Sequence, residues 1–310
     1  MSIVTFLLII VILFLSRHEL FHAWDLLTTV KFGYLALLVP IFLLDYYAAG
    51  RISFSYIEAK QKGFRLHAWT QMRLSLEMNF VNHVLPSGGV SGLSYMTWRL
   101  GQVGVGASRA LMSQIVQLVL GLVAFLVLLM LAVLVVTIDG SINRVIILVS
   151  SALSTALIAT IIVCIYVTMD LRRIRKMSEW LVHTVNFCVR RLTFGKKRKV
   201  LDLATTEKFM TDMHRDYLDL RRDSAMLIKP FYWALVFTAC EVAIFWVTFL
   251  ALGIWVNPAL ILIAYGLALI AGFLVITPGG SGAYEALMVG FLAVAGVSQG
   301  AAIAGIVLAR

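Results

Sequence analysis

Two short stretches rich in proline and glycine hold the residues of this sequence that are best suited to bind an anion. Residues 85–92 have the sequence LPSGGVSG, and residues 277–285 have the sequence TPGGSGAYE. Proline ends a helix because it lacks a backbone donor, and glycine lets the backbone approach a ligand closely. The helix that restarts beyond such a break exposes free N–H groups at its positive dipole end, where phosphate binds favourably. The two stretches therefore predict either a headgroup site for a phosphate-bearing amphiphile or two ordinary loops.

Polar side chains next to the two breaks extend this candidate site. Asn79, Asn82 and His83 supply neutral donors before the first break, and Arg99 supplies a cation after it. Glu285 lies in the first turn beyond the second break, where it either caps the helix or pairs with a lipid amine or a proton. The predicted headgroup-binding residues are Asn79, Asn82, His83, Pro86, Ser87, Gly88, Gly89, Gly92, Arg99, Pro278, Gly279, Gly280, Gly282, Tyr284 and Glu285. No residue is predicted to be catalytic, to bind a metal or to hold a cofactor.

The composition places this site inside a membrane protein. Hydrophobic residues make up 61% of the chain and charged residues 14%, which is more apolar surface than one water-soluble core can bury. Fifteen of the 26 Lys and Arg residues fall between positions 170 and 229, which predicts that this segment is cytoplasmic. The net charge of +10 is therefore a topology signal rather than a sign of nucleic-acid binding. The three cysteines support neither a disulfide framework nor a zinc site. We expect a multi-pass protein of the cell membrane.

Apolar runs of membrane-spanning character position the two breaks. The runs that predict spans are the short run 2–15 and the runs 32–47, 111–136, 145–169 and 231–252. The first break lies within 70–107, whose basic flanks on both sides indicate a hairpin that enters from the cytoplasm and returns. The second break lies within 259–297, which either forms a hairpin from the external face or crosses fully. Two re-entrant hairpins from opposite faces predict an all-α polytopic fold with an inverted-repeat arrangement and both breaks close together near mid-membrane.

Two acidic residues of the predicted spans receive different interpretations. Asp45, followed by Tyr46 and Tyr47, ends its apolar run and is expected near a membrane interface. Glu241 lies inside the run 231–252, where it is either functional or close enough to a helix end to reach the interface.

The whole chain, 1–310, is predicted to be a single transmembrane domain. Its parts are a first half at 1–169, a basic amphipathic segment at 170–228 and a second half at 229–310. Apolar residues at helical spacing in the middle segment predict helices that lie on the membrane or cap the bundle. The run GKKRK within it either touches anionic headgroups or is a solvated loop. Because the apolar stretch 301–309 is too short to span alone, we expect the C-terminus to be incomplete.

The glycine motifs resemble those of a known family. The sequences NHVLPSGGVSG at 82–92 and PGGSGAYEALMVGFLAVAGVS at 278–298 resemble the lysylphosphatidylglycerol synthase transmembrane-domain family, also called flippase-like membrane proteins. The family motif Pro-Gly-Gly-x-Gly-x-x-Glu is met by Pro278, Gly279, Gly280, Gly282 and Glu285. The resemblance implies an integral membrane protein that handles lipids and is not an enzyme. Family members continue past an arginine like Arg310 into a last helix, and no soluble aminoacyl-transferase domain is present here, so lipid aminoacylation is not implied.

A competing motif lies near the N-terminus. Residues 18–22 have the sequence HELFH, an HExxH pattern that is typical of zinc proteases, and Asp139 is a conceivable third ligand. The motif sits at the end of a short span beside Arg17 and Asp25, and no further His or acid of the external loops suggests a preformed cavity. A polar interfacial turn explains it more simply.

Two function classes follow from these features. The first is a lipid translocase that moves a phospholipid or a polyprenyl-phosphate-linked amphiphile between leaflets, with anionic membrane lipids as its partners. The second is a non-transporting membrane partner that docks a separate glycosyl- or aminoacyl-transferase on its basic segment. The breaks are essential to the first function, and the basic segment is essential to the second.

Overall fold

The computed structural model of the chain describes residues 30–61, 63–84, 90–138, 143–168, 203–274 and 282–310. These residues form ten α-helices and one short 3-10 helix, and no strand occurs among them. The α-helices are α1 (Phe32–Lys60), α2 (Ala68–Val84), α3 (Val90–Gln102), α4 (Ala107–Ile138), α5 (Arg144–Thr168), α6 (Leu203–Arg222), α7 (Ile228–Ala251), α8 (Pro258–Leu274), α9 (Ala283–Val294) and α10 (Gln299–Ala309). The 3-10 helix, Ser224–Leu227, leads directly into α7.

Four helical segments in the described residues are long and apolar enough to cross a membrane. They are Phe32–Lys60, Ala107–Ile138, Arg144–Val163 and Ser224–Ala251. Large apolar side chains such as Leu37, Leu131 and Ile162 point outward from them. Exposed apolar side chains suit a bilayer, whose acyl chains replace water around them. The predicted all-α polytopic fold is confirmed.

The first of these helices is longer than the sequence predicted. We expected the span to end at Tyr47, whereas α1 continues to Lys60. The helix can extend because its charges are balanced: Arg51 and Glu58 form an ion pair at 2.8 Å, and Lys60 pairs with Asp219 of α6 at 2.9 Å.

Because α1 continues to Lys60, Asp45 does not lie at the helix end. Asp45 lies next to the midpoint of α1 and only 5% of its surface is exposed. The interfacial position predicted for it is therefore wrong.

Helices α1 and α7 pack against each other in antiparallel orientation and form the centre of the bundle. At one end the Lys31 N–H donates to the Ala251 carbonyl at 2.9 Å. Toward the other end the rings of Tyr47 and Trp233 meet edge to face, with their centroids 5.2 Å apart. Helix α4 packs against both, and α6 lies on α4 with its apolar residue Leu220 in the core.

Each break lies within a helical hairpin, and the two hairpins start at opposite ends of the bundle. Helices α2 and α3 are antiparallel, since Gly92 bonds Asn82 and Tyr95 bonds Glu77. Helix α2 starts near the end of α1, whereas α8 follows α7 at the end where α1 begins. Helix α8 packs against α9. The central residues of the two breaks, 85–89 and 277–281, fall between α2 and α3 and between α8 and α9, outside the described residues.

The lengths of α2 and α3 bear on the re-entry expected for the first hairpin. These helices have 17 and 13 residues. At about 1.5 Å per residue each is shorter than the bilayer core of about 30 Å. Re-entry through one membrane face remains a prediction for both hairpins.

The apolar core consists of two large clusters that divide along α1 and α7. On α1 the boundary lies between Leu38 and Ile52, and on α7 it lies between Ala234 and Ile244. One cluster contains α8, α9 and α10, and the other contains α2, α3 and α6. Asp45 and Glu241 lie within these boundary segments, so the two acids separate the two halves of the core.

Candidate functional site

A polar cavity of about 180 Å³ lies at the boundary between the two apolar clusters. Its lining comes from α1, α2, α3, α4 and α7: Asp45, Tyr46, Ala49, Gly50, Ser53, Ser75, Met78, Asn79, Asn82, Met96, Gln117, Phe237 and Glu241. A water molecule needs about 30 Å³, so the volume accommodates several waters or a small polar headgroup fragment. Most of the lining side chains carry an oxygen or a nitrogen, although the helices that present them are apolar.

The first hairpin brings Asn79 to this cavity. The Asn79 amide donates to the Tyr46 hydroxyl at 3.0 Å, which fixes α2 at the midpoint of α1. Close approach of the two helices depends on Gly50, because a Cβ there would lie 2.8 Å from Ser75 Oγ and 3.2 Å from the Gln71 carbonyl oxygen. Gly50 thus sets the depth at which α2 presents its amide.

Asn82 joins Asn79 at the cavity and also closes the hairpin. Its Oδ1 accepts from the Gly92 N–H at 2.9 Å, and a Cβ on Gly92 would lie 2.3 Å from that oxygen. Gly92 is the third residue of α3, so its N–H is one of the free donors at a helix start. This helix start was predicted to bind phosphate, but the Asn82 amide oxygen already accepts from this donor.

Two other predicted residues of the first hairpin do not line the cavity. His83 is exposed, and its Nδ1 lies 2.9 Å from the Asn79 carbonyl oxygen. Arg99 pairs with Glu77 at 3.3 Å and donates to Gln102 at 2.6 Å, near the open end of the hairpin. Their polar groups stabilise the hairpin rather than a ligand in the cavity.

The cavity contains two carboxylates on facing helices, Asp45 of α1 and Glu241 of α7. They are close enough for their charges to repel each other. The Oδ1 atom of Asp45 is buried and has no hydrogen-bond partner in the described part of the chain. Asp45 could not be recognised as a site residue from sequence because it ends an apolar run, where an interfacial residue is expected.

The second hairpin reaches the same pair of acids from the opposite direction. The Tyr265 hydroxyl of α8 hydrogen-bonds the Glu241 carboxylate. The Tyr265 ring also meets the ring of Tyr284 edge to face at 6.4 Å. Contacts therefore continue from the cavity to the start of α9, which is the helix beyond the second break.

Charged groups stabilise the start of α9. The Glu285 carboxylate accepts from the Gly282 N–H at 2.5 Å and forms an ion pair with Arg310. Gly282 has a φ of +92°, which favours glycine at this position. The Arg310 guanidinium lies over the Tyr284 ring, 4.5 Å from its centroid. Glu285 thus has the capping contact that the sequence analysis left open, and a role in transport remains a prediction.

Several predicted residues fall outside the described part of the chain. For the two breaks these are Pro86, Ser87, Gly88, Gly89, Pro278, Gly279 and Gly280. The HExxH residues at 18–22 and Asp139 fall outside it as well. Within the described ranges, no group of three or more His, Cys, Asp and Glu side chains is arranged to hold a metal ion.

Four span-length helices, three of which line a polar cavity, define this chain as a multi-pass integral membrane protein. Its sequence matches the family described as Lysylphosphatidylglycerol synthase TM region over residues 2–310. The chain belongs to this family, as its glycine motifs predicted, and the family relates it to lipid handling. Comparisons with curated proteins and with solved structures found no match.

Proposed function

We propose that this protein moves a phospholipid or a polyprenyl-phosphate-linked lipid between the two leaflets of the cell membrane. The observation that carries the proposal is the polar cavity at the midpoint of α1, lined by Asn79, Asn82 and Gln117 together with the two acids. A headgroup that crosses a bilayer loses its hydration, and polar side chains at mid-depth lower that cost.

The arrangement of the hairpins supports this function. Asn79 of the first hairpin and Tyr265 of the second each contact a central helix near its middle, although their hairpins start at opposite ends of the bundle. Broken helices that meet around one site are the arrangement by which many transporters open alternately to the two sides.

Leaflet-specific lipid movement in proteoliposomes tests the proposal. Vesicles with fluorescent phosphatidylglycerol are treated with an impermeant quencher, which removes only the outer-leaflet signal unless lipid crosses. We expect the wild-type chain to allow nearly complete quenching over time. The substitution Asn79→Leu, which keeps the side-chain size but removes the amide, should reduce the rate at least tenfold.

A matched control separates loss of the cavity amide from general damage. Thr155 is exposed on α5, and its hydroxyl donates to the Ser151 carbonyl of its own helix at 2.8 Å, with no other hydrogen bond in the described residues. Thr155→Val removes a polar group at similar size and should transport at the wild-type rate. No lipid movement by the correctly inserted wild-type chain, with several lipids tried, would contradict the proposal.

Docking of a separate lipid-modifying enzyme is the second candidate function. Helix α6 favours it, because α6 lies on α4 with Arg215, Arg221 and Arg222 exposed. For a partner that docks a glycosyl- or aminoacyl-transferase and moves no lipid, substitution of these arginines by Gln should abolish enzyme recruitment. The opposite result, loss of lipid movement alone, would favour translocation.

A further inference from the structure

The two carboxylates of the cavity are placed where an ionised pair is costly. Asp45 and Glu241 lie near the middle of two antiparallel central helices, between two apolar clusters. Asp45 lines the cavity and is 5% exposed, and its buried Oδ1 has no hydrogen-bond partner among the described residues. Two like charges at such a site, in surroundings of low polarity, cannot both be held without a neutralising cation.

The protein itself does not provide that cation in the cavity. No Lys or Arg is among the described residues that line it. Arg51, which follows on α1, is committed to Glu58 at 2.8 Å. Arg310 attracts Glu241 electrostatically but does not line the cavity, and its guanidinium is ion-paired with Glu285.

The remaining groups that face the pair are neutral. The Tyr46 hydroxyl accepts from Asn79, and the Tyr265 hydroxyl bonds Glu241. Cys240, beside Glu241 on α7, is a buried free thiol. Neutralisation therefore has to come from a bound cation.

We propose that Asp45 and Glu241 hold an exchangeable proton and that its uptake and release drive lipid movement, which rests on the function proposed above. A proton on either carboxylate lowers the negative charge of the pair and turns that carboxyl into a hydrogen-bond donor. The proton comes from water on one side and is returned to water, so no covalent bond besides O–H forms or breaks. With one proton the pair carries a single negative charge instead of two, so it repels a phosphate headgroup less and the headgroup can enter the cavity; loss of the proton restores the stronger repulsion.

A proton fits this site better than Na⁺ does. A metal cation needs several oxygen ligands in addition to the carboxylates. Two of the three amide oxygens of the lining already accept hydrogen bonds, Gln117 Oε1 from Ser53 at 2.6 Å and Asn82 Oδ1 from Gly92 at 2.9 Å. A proton needs only one carboxylate oxygen of the pair and none of these amides.

Carbodiimide labelling of the full chain in lipid nanodiscs tests the site without any transport measurement. Dicyclohexylcarbodiimide converts protonated carboxyls in apolar surroundings to stable N-acylureas, which peptide mass spectrometry locates. We expect label on Asp45 or Glu241, with a rate that falls about tenfold per pH unit once the pair ionises. Asp219 is an internal control, because it is ion-paired with Lys60 at 2.9 Å, and it should stay unlabelled.

Two variants and an ion competition complete the test. Asp45→Asn and Glu241→Gln keep the side-chain shapes, and each should lose its own label and the pH dependence of lipid movement. Labelling that is absent at every pH, or that Na⁺ suppresses at constant pH, would overturn the proton site. Labelling with the expected pH dependence in a chain that moves no lipid would retain the site and refute the translocase function.

Discussion

The carboxylate of Glu285 contacts two donors from different parts of the chain. It accepts the Gly282 N–H at the start of α9 and binds Arg310 beyond the end of α10. Both side chains of this ion pair are about a quarter to a third exposed, at 31% for Glu285 and 24% for Arg310. Solvent screening at such exposure limits the pair to roughly 1 kcal/mol of stability.

The variant Glu285→Gln separates the charge of this residue from its capping contact. Glutamine still accepts from the Gly282 N–H but cannot pair with Arg310 electrostatically. We expect lipid movement to fall several-fold while the free energy of unfolding drops by about 1 kcal/mol or less. Leaflet-specific quenching and thermal unfolding in nanodiscs measure the two effects.

Glu58→Gln is the matched control, because it breaks the Arg51–Glu58 pair, whose side chains are 16% and 26% exposed. This pair does not touch the described flanks of the second break. The control should lose similar stability but keep lipid movement. If both variants transport equally well, the carboxylate of Glu285 acts only as a helix cap.

Residue types and spacing predicted only part of the candidate site. Asn79 and Asn82 line a cavity as predicted from the sequence. Arg99 instead pairs with Glu77 and hydrogen-bonds Gln102, contacts that could not be found from the sequence. Asp45 was missed for a related reason. Its depth depends on where α1 ends, which in turn depends on charge pairs with residues far along the chain, such as that between Lys60 and Asp219.

Individual helices show which parts of the fold a sequence specifies by itself. The spans predicted at 111–136, 145–169 and 231–252 correspond to α4, α5 and α7 within a few residues. These runs are continuous and apolar, so composition alone defines them. Helix α1 carries charges in its second half that are paired within the helix, as Arg51 is with Glu58, or with another helix, as Lys60 is with Asp219, so its end could not be found from local sequence.

Because α2 packs closely on α1, one added methyl group at Gly50 should lower the stability of the protein. In Gly50→Ala the new Cβ would meet Ser75 Oγ at 2.8 Å and the Gln71 backbone at 3.2 Å, so α2 has to move away. We expect a loss of about 1–3 kcal/mol in the free energy of unfolding. The Asn79–Tyr46 hydrogen bond should weaken, and lipid movement should slow with it.

Gly121→Ala provides the control for this substitution. Gly121 lies in α4, and a Cβ there would have nothing within 4 Å in the described structure. Both variants gain the same helix propensity, about 1 kcal/mol, so the difference between them isolates the contact. Equal thermal unfolding temperatures for the two variants would contradict the close packing of α2 on α1.

The basic residues of the molecule are concentrated at one end of the helical bundle. Basic side chains gather at the end of the bundle where α1 finishes and α2, α4 and α7 begin, and they include Lys60, Arg65, Arg73, Arg109, Arg221, Arg222 and Lys229. The opposite end of these helices carries fewer, among them Lys31 and Arg144. Positively charged loops are retained in the cytoplasm, so we infer that the Lys60 end is cytoplasmic. The first hairpin then starts from the cytoplasmic face, and the second starts from the external face.

Labelling of single cysteines from outside intact cells tests this orientation. Lys197→Cys lies in the basic segment 170–229, and Ser141→Cys lies in the connection between α4 and α5, both in a chain whose three native cysteines are replaced. An impermeant maleimide should label position 141 within minutes and position 197 only after the cells are permeabilised. Lys197 should behave in this way because its neighbours carry the largest basic excess of the chain. Efficient labelling of position 197 in intact cells, with position 141 protected, would show that the molecule has the opposite orientation in the membrane. The membrane faces from which the two hairpins start would then be exchanged.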